Sequence, residues 1–340
     1  VEQPLIEKAE IIKRQKLIEA LNANEITRDE IREYLNPIYD LERLITRITY
    51  QSANPRDLIA FRDSLKMLPP IKQQLSDIPC ELTDEINEEF DELKDIYELL
   101  LSSIEDEPPI SQRDGDIIKA GYNEEVDRLR DAKTKGKTWL AELEAGEREK
   151  TGIKNLRIKY NKVFGYYLEV TNSFKDMVPD YYVRKQTLTN AERYITPELK
   201  ELEDTILGAE DRLTSLEYEL FRDVRKQISD NVSRIQKTAR AIAQIDVFAS
   251  LALVASQNNY CKPKINESGI IDIKNGRHPV VEKMITNDMF IENDTYLDQH
   301  KNRISIITGP NMAGKSTYMR QTALIVLMAE IGSFVPAQTA

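Results

Sequence analysis

The fold is decided by residues 199–220, which read LKELEDTILGAEDRLTSLEYEL. Apolar residues recur in this stretch at spacings that alternate between three and four, which is typical of a coiled-coil helix. The positions concerned are Leu199, Leu202, Ile206, Ala209, Leu213, Leu216 and Leu220. Apolar residues then continue to Val232 at spacings of four, and no proline lies between Glu198 and Lys262. We therefore predict one long helix within 199–260, of about 50 residues or about 75 Å.

A second apolar stripe precedes this helix and predicts another long helix over 119–152. Its members are Tyr122, Val126, Leu129, Gly136, Leu140 and Leu143. If the two helices run antiparallel, they form a long arm. Residues 1–118 instead show the start signals of short helices, such as the capping box Thr27-x-x-Glu30 and the pair Asn54-Pro55. This first region is predicted to be a packed helical domain.

Between the two long helices, over 153–198, the apolar period changes to two. Leu156, Ile158 and Tyr160 alternate with basic residues, and Tyr166, Leu168 and Val170 continue the pattern. This alternation is typical of half-buried strands. In an antiparallel arm, such a small β unit lies at the far end.

Charge is unevenly distributed along the chain. The formal net charge is -11, which argues against a polyanionic partner. Residues 79–118 are strongly acidic, however, whereas residues 151–200 are rich in cations. These are Lys154, Arg157, Lys159, Lys162, Lys175, Arg184, Lys185, Arg193 and Lys200. The charge alone is equally consistent with a solvated surface, but a long arm that orders many residues is more plausible if its tip contacts a polyanion.

Several classes of protein are disfavoured by the sequence. No segment approaches the roughly 18 consecutive apolar residues of a membrane span, and the N-terminal residues do not resemble a signal peptide. Cys80 and Cys261 are far apart and outside any CxxC motif, and His278 and His300 have no metal-ligand spacing. A cytosolic protein with reduced cysteines is expected.

The chemistry-bearing motif comes directly after a short β-branched run at 303–308. It reads Gly309-Pro310-Asn311-Met312-Ala313-Gly314-Lys315-Ser316 and leads into a helical stretch to Ile331. This is the pattern GxxxxGKS in a strand, loop and helix setting. Backbone N–H groups and the helix N-terminus would bind the phosphates of ATP or ADP, Lys315 would reach the terminal phosphates, and the Ser316 hydroxyl would ligate Mg²⁺.

A complete phosphoryl-transfer site also needs an acid for Mg²⁺ and a group that positions water, which normally lie on later strands. The chain reads only to Ala340. We therefore expect 261–340 to be the incomplete start of an ATPase domain that turns over no ATP by itself.

The run Thr308 to Gln321 resembles the Walker A segment of the MutS family of DNA mismatch repair ATPases, and residues 332–337 are similar to the next segment of that domain. Upstream, residues 276–280 resemble the entry to the same domain, and 161–170, 184–188 and 197–200 resemble the DNA clamp of the family. The resemblance implies a mainly α fold with a small β clamp insertion, a long antiparallel helical arm, and the start of an α/β P-loop ATPase domain of the ABC type.

The resemblance assigns site residues position by position. The ATP-binding set would be Gly309, Pro310, Asn311, Met312, Ala313, Gly314, Lys315, Ser316 and Thr317, with Phe290 packing on adenine. A core phenylalanine is the alternative for Phe290. Lys185 and Asn190 match clamp positions that contact the DNA backbone, while the charge pattern adds Lys159 and Lys162. Ala313 stands where many relatives have a second glycine, a change that should leave phosphate binding intact.

The resemblance also implies a parent protein with partners. That parent would be a homodimer in the bacterial cytosol, associated with the nucleoid and with no membrane contact. It would clamp duplex DNA, bind mismatches, use ATP binding and hydrolysis to switch the clamp state, and recruit a MutL-type partner. The mismatch-reading wedge is expected before Val1, outside this chain.

Two rival interpretations compete with this one. A coiled-coil DNA-repair ATPase of the structural-maintenance type would place its Walker A segment ahead of the arm, whereas here the segment lies after the arm. The second rival is a non-enzymatic DNA-binding scaffold, which stays open for this chain taken alone.

Overall fold

The computed structural model describes residues 3–112, 114–161, 163–285, 289–311 and 313–340. Two compact units are present. The first contains residues 1–46, 61–97 and 231–340, and the second contains 47–60 and 98–230. Mainly α structure with a small antiparallel sheet is confirmed. The helices preceding residue 119 are α1 Lys8–Ala23, α2 Glu25–Leu35, α3 Leu41–Thr49, α4 Pro55–Leu65, α5 Leu68–Ser76, α6 Glu81–Glu89 and α7 Lys94–Ser103.

The first unit is built around α10 (Val232–Gln257), on which α1, α2 and α6 pack. Over the described residues, α10 alone is long and apolar enough to cross a membrane, with a mean hydropathy of 1.4 in its most apolar window. Half of that window (50%) is buried among the other helices. A core helix meets the same criterion, and the packing of α10 is that of a core helix.

The same unit carries a two-stranded antiparallel sheet and a helix near the C-terminus. Strands β5 (Ile271–Gly276) and β6 (Asn293–Leu297) pair with each other, with the short α11 (Val281–Met284) between them. Helix α12 (Lys315–Glu330) packs on β5. A small core joins them, formed by Ile273, Ile325, Val335 and Ala337.

The predicted strand at 303–308 is not formed. The backbone there has no regular structure, and Ile304 and Ile306 are 85% and 87% exposed. A strand of a parallel sheet is stabilised by hydrogen bonds to neighbours on both sides and by cover on both faces. Strands β5 and β6 pair with each other and give residues 303–308 no such hydrogen bonds. The glycine-rich loop therefore does not follow a strand of a parallel sheet, as it would in an α/β ATPase domain.

The second unit contains two long antiparallel helices, α8 (Glu124–Thr151) and α9 (Pro197–Ser229). Residues pair in opposite order along them: Lys133 forms an ion pair with Glu210 at 2.9 Å, and Gly136 packs against Ile206. At 1.5 Å per residue, they are about 42 and about 50 Å long. The predicted antiparallel pair is therefore present.

The single long helix expected within 199–260 is interrupted. Helix α9 ends at Ser229 and α10 begins at Val232, and the backbone of Asn231 leaves the helical region with φ -102° and ψ 14°. The Asn231 side chain accepts a hydrogen bond from Arg234 at 2.9 Å. Asparagine and aspartate favour such local bonds over helix interiors, which accounts for the break at Asp230-Asn231.

The β unit is a four-stranded antiparallel sheet in the order β1-β2-β4-β3. Its strands are β1 Arg157–Asn161, β2 Gly165–Thr171, β3 Val183–Thr187 and β4 Ala191–Ile195, with a 3-10 helix at Asn172–Met177. Leu168, Val170 and Tyr194 face inward. They share one core with Leu140 and Leu143 of α8 and with Leu199 and Ile206 of α9. The sheet therefore caps the ends of the two long helices.

Candidate nucleic-acid interface and nucleotide-binding loop

The β3–β4 hairpin presents two of the predicted DNA-contacting residues. Lys185 lies at a bulge between Arg184 and Gln186, and its side chain is exposed. Asn190 is exposed in the turn, where its carbonyl accepts a hydrogen bond from the Asn172 N–H at 3.2 Å. The Asn172 side chain also donates to the Thr189 carbonyl at 3.0 Å. These two bonds fix the backbone of the turn to the first residue of the 3-10 helix, while the side chains of the turn face solvent.

Many other cations of the sheet are paired with glutamates. Lys159, predicted as a DNA contact, forms an ion pair with Glu169 at 2.7 Å. The further pairs are Arg157–Glu144 at 3.5 Å, Arg184–Glu192 at 3.7 Å and Arg193–Glu169 at 3.8 Å. Lys162 lies outside the described residues. The sheet is therefore less positive than its sequence suggests.

Three lysines of the β unit have no carboxylate within ion-pair distance in the described part of the chain. These are Lys154, Lys175 and Lys185. Unpaired ammonium groups remain available to phosphates, whereas a paired one must first lose its partner. Among the predicted lysine contacts that the structure describes, Lys185 is exposed and unpaired, and its contact with DNA stays a prediction.

A buried carboxylate under the sheet was missed from the sequence. Glu147 of α8 is 2% exposed and accepts hydrogen bonds from the hydroxyls of Tyr181 and Tyr182, both at 2.8 Å, and from Lys150 at 3.0 Å. Burial would raise the pKa of Glu147, but these hydrogen bonds outweigh it, so the pKa lies below its ordinary value. Its position four residues after Leu143 on the apolar stripe is the signal that could have revealed it.

The hydroxyls of Tyr181 and Tyr182 donate to the same carboxylate, and the pKa values of both tyrosines are raised. Burial raises the pKa of Tyr182, and the hydrogen bond to Glu147 raises it further. Both tyrosines therefore remain neutral donors throughout the physiological range. The contact joins the segment before β3 to the end of α8 and so helps to fix the hairpin that carries Lys185.

The glycine-rich loop leads directly into α12. Gly314 precedes the helix with φ 84°, a left-handed conformation that glycine adopts without the strain a side chain would bring. Lys315 begins the helix, and its ammonium group donates to the Pro310 carbonyl at 2.8 Å and to that of Gly309. The structure thus brings the lysine together with the loop at a helix N-terminus, where an anion is favoured.

The rest of the predicted nucleotide site is present only in part. Gly309, Pro310, Asn311, Ala313 and Ser316 are exposed, and Thr317 is half-buried. Met312 lies outside the described residues. An exposed Ser316 hydroxyl next to Lys315 fits a Mg²⁺ ligand that is shared with a nucleotide phosphate. Among the described residues, no group of three or more His, Cys, Asp or Glu side chains is placed to hold a metal ion.

Phe290 is not brought to the loop by any contact within the described residues. Its side chain is half-buried, and its neighbours Met289 and Ile291 are almost fully exposed. It is not a member of the small core formed by β5 and α12. The adenine-stacking role therefore stays a prediction.

Two residues that tie the loop helix to the sheet were also missed from the sequence. The Tyr318 hydroxyl donates to the Asp294 carbonyl at 3.1 Å and accepts from the Thr295 hydroxyl at 2.9 Å. These bonds connect the first turn of α12 to β6. They hold the N-terminus of the helix in place although the strand at 303–308 is not formed.

The segment resembling the domain entry links the same unit to α10. Arg277 donates to Glu282 at 2.8 Å and to the carbonyl of Asn258, which lies just beyond the last residue of α10, at 3.0 Å. The Glu282 carboxylate also accepts from the Tyr260 hydroxyl at 3.2 Å. The end of α10 is thus bonded to the segment after β5.

Two antiparallel helices form an arm with a small sheet at its end, and later in the chain a glycine-rich loop precedes a helix. These features define a class of protein with a two-helix arm and a candidate phosphate-binding loop. Comparison with known families identifies the family. The model of MutS domain III matches residues 1–252, and that of MutS domain V matches residues 305–340. The chain belongs to the MutS family.

Individual relatives agree with this assignment. The DNA mismatch repair protein MutS of Lachnoclostridium phytofermentans is 66% identical over 340 residues, covering 100% of this chain and 36% of that protein. The proteins of the same name from Acetivibrio thermocellus and Caldicellulosiruptor bescii are 54% and 55% identical over the whole chain, which covers 39% of each. The chain therefore spans well under half of the length of these relatives.

Proposed function

We propose that this chain is the part of a DNA mismatch repair protein that grips duplex DNA at the end of a helical arm and holds ATP at the start of an ATPase domain. The proposed regions are a core domain at 1–118, the arm helices within 119–152 and 199–260, the clamp at 153–198, and the ATPase start at 261–340. Family membership supports the repair function. The exposed, unpaired Lys185 on the β3–β4 hairpin is the observation that carries DNA contact.

The contact we propose is to the DNA backbone rather than to the bases. Lysine and asparagine side chains on a small sheet suit phosphate oxygens, which position a protein without reading sequence. Lys185 and Asn190 are the main contacts. Lys159 contributes less because Glu169 competes for it, and Lys162 stays a proposal from the charge pattern.

The nucleotide site is proposed at residues 309–317. The loop N–H groups and the N-terminus of α12 would bind phosphate oxygens, and Lys315 would exchange its carbonyl partners for the terminal phosphates. Ser316 would hold Mg²⁺, which neutralises phosphate charge when bound. Phe290 is the proposed partner of the adenine ring. The described residues place no carboxylate cluster beside Ser316, so we propose binding without steady hydrolysis.

Larger assemblies are proposed for the whole protein. These are a homodimer that encircles mismatched DNA, a MutL-type partner, and a place of action in the bacterial cytosol at the nucleoid. The name that the relatives share, DNA mismatch repair protein MutS, supports the repair setting. A DNA-gripping scaffold without enzymatic activity remains the second candidate for this chain, because the P-loop lacks its predicted strand.

The proposed DNA contact is tested by fluorescence anisotropy with a labelled duplex of about two helical turns at low salt. Lys185→Glu should weaken binding at least fivefold, because it replaces a free cation with a repelling charge. Lys137→Glu makes the same charge change at an exposed position of α8 outside the β unit, and should change the affinity less than twofold. Equal losses in the two variants would mean that only overall charge matters and that the hairpin is a solvated surface.

A further inference from the structure

Among the residues that the structure describes, one buried charged side chain lacks an oppositely charged partner. The described residues bury five charged side chains: Arg28, Glu147, Glu203, Glu217 and Arg225. Four of them have an oppositely charged partner, at 3.1 Å for Arg28, 3.0 Å for Glu147, 3.5 Å for Glu203 and 2.5 Å for Glu217. Arg225 has none in the described part of the chain. Charged side chains are rarely buried without a partner, because desolvation is not compensated.

Arg225 is only partly satisfied by neutral groups. It lies near the end of α9, is 3% exposed, and donates through Nη1 to the carbonyls of Gln51 at 2.8 Å and Ala53 at 3.2 Å. Its guanidinium lies 4.9 Å from the Phe221 ring centroid. The Nε–H is buried without a hydrogen-bond partner among the described residues. Arginine carries five N–H donors, and the buried Nε–H is one that no group in the described part of the chain satisfies.

The electrostatic surroundings of Arg225 are positive. Burial lowers its pKa, Tyr218 opposes this, and the neighbouring charge of Arg222 lowers it again. No carboxylate contributes to the shift. The group nevertheless stays charged, since the ordinary pKa of arginine lies far above neutrality. An anion beside Arg225 would therefore compensate for the loss of solvation of its guanidinium group and would offset the repulsion from Arg222.

A cavity of about 140 Å³ adjoins this arginine within the second unit. Its wall contains three cations, Arg222, Arg225 and Lys226, and a single acid, Asp223. Thr49 and Ser229 add hydroxyl groups. At about 30 Å³ for each water in the liquid, the cavity has the volume of roughly four or five waters, which suits a small polyatomic ion.

We propose that this cavity binds a small tetrahedral oxyanion of the phosphate class. Arg225 provides N–H donors from the inside, and Arg222 and Lys226 provide charge from the exposed side. The planar fork of an arginine matches two oxygens of such an ion at once. Arg225 is almost fully buried but lines the cavity, so we expect a small free ion to reach it and a phosphate fixed in a DNA backbone not to.

The test is equilibrium dialysis of the chain against radiolabelled inorganic phosphate, with chloride keeping the ionic strength constant. The Lys315→Ala background removes phosphate binding at the glycine-rich loop. We expect one saturable site per chain with a dissociation constant in the millimolar range. Arg222→Gln combined with Lys226→Gln should weaken it at least fivefold, and both residues are exposed, so folding should be retained.

The matched control is Lys137→Gln combined with Arg212→Gln, which removes two exposed cations of the same unit away from the cavity. Its phosphate affinity should change less than twofold. Absence of saturable binding, or equal weakening in both double variants, would overturn the proposal. Displacement of the phosphate by a short duplex at equal phosphate concentration would also overturn it, because the site would then serve nucleic acid.

Discussion

At the scale of single residues, Glu147 shows how a buried charge can help to fix the β3–β4 hairpin. Its carboxylate accepts from two tyrosine hydroxyls and a lysine, and its pKa is lowered. We predict that Glu147→Gln lowers the free energy of unfolding by about 1–3 kcal/mol, because hydrogen bonds to a charged group are replaced by weaker ones. Urea denaturation monitored by circular dichroism measures the change.

The same substitution should also alter the pH dependence. A carboxyl whose pKa is lowered on folding stabilises the protein above its unfolded pKa, and this stabilisation is lost as the pH falls through the folded value. The wild-type chain should therefore lose stability below about pH 4.5 more steeply than Glu147→Gln. Glu149→Gln, at an exposed position of the same helix, serves as the control. Parallel pH profiles for the wild type and Glu147→Gln would contradict the assignment.

At the scale of the elements, three glycines in α8 and α9 have different surroundings. A Cβ atom on Gly136 would lie 2.5 Å from Cγ1 of Ile206, whereas one on Gly146 or Gly208 would meet nothing within 4 Å. We predict that Gly136→Ala destabilises the arm, since overpacking of about 1–3 kcal/mol exceeds the helix-propensity gain of about 0.5–1 kcal/mol.

Gly208→Ala is the matched comparison and should instead stabilise the chain by about 0.5–1 kcal/mol, because it gains helix propensity without a clash. Thermal unfolding of the two variants, monitored by far-ultraviolet circular dichroism, should give midpoints that move in opposite directions. If both midpoints rose, the Ile206 side chain would be moving aside without cost, and α8 and α9 would not be closely packed at Gly136.

The elements also show what the sequence can and cannot predict. The long helices and the β unit are predictable from local periodicity, which is visible in one sequence. The apolar periodicity hides the break at Asp230-Asn231, because spacings of four continue across it from Ile228 to Val232, and only the Asp-Asn pair itself points to it. The absent strand at 303–308 has a different reason, since a strand depends on partners elsewhere in space.

The site shows the same division. Lys315 and the loop were predicted from a motif whose residues are adjacent in the chain. The pairing of Lys159 with Glu169 was not, because it depends on the register between β1 and β2, where Lys159 faces Tyr167 and Arg157 faces Glu169. Charge counted along a sequence therefore overestimates the charge that a folded sheet presents.

At the scale of the whole molecule, nucleotide chemistry should stop at binding. Lys315 and Ser316 are present, but the described residues contain no group of three or more His, Cys, Asp or Glu side chains placed to hold a metal ion. We predict weak binding of ATP or ADP with Mg²⁺, and no steady hydrolysis in a coupled phosphate-release assay with the purified chain. Turnover that Lys315→Ala abolishes would contradict this prediction.

The chain should also bind a perfect duplex and a duplex with a G·T mispair equally well. Contacts to phosphates carry no sequence information. Recognition of a mismatch requires a side chain inserted between the bases and DNA that bends there at a low cost in free energy. We expect affinities that agree within about 0.5 kcal/mol, below the roughly 1–3 kcal/mol of real base-step discrimination. A reproducible tenfold preference in competition binding would show that the arm itself senses DNA deformability.

The ion pairs across the sheet reduce the salt dependence that we expect for DNA binding. Each phosphate that a free cation neutralises expels condensed counterions, and the logarithm of the affinity falls with that of salt at a slope of about -0.9 per contact. If each of the three lysines unpaired among the described residues, Lys154, Lys175 and Lys185, neutralised one phosphate, a rise from about 50 to about 200 mM salt would weaken binding by about 40-fold, whereas nine such contacts would give a loss of more than about 10⁴-fold. We therefore expect the proposed DNA contact to weaken only moderately at cellular salt, because the sheet pairs many of its cations with glutamates of the same unit.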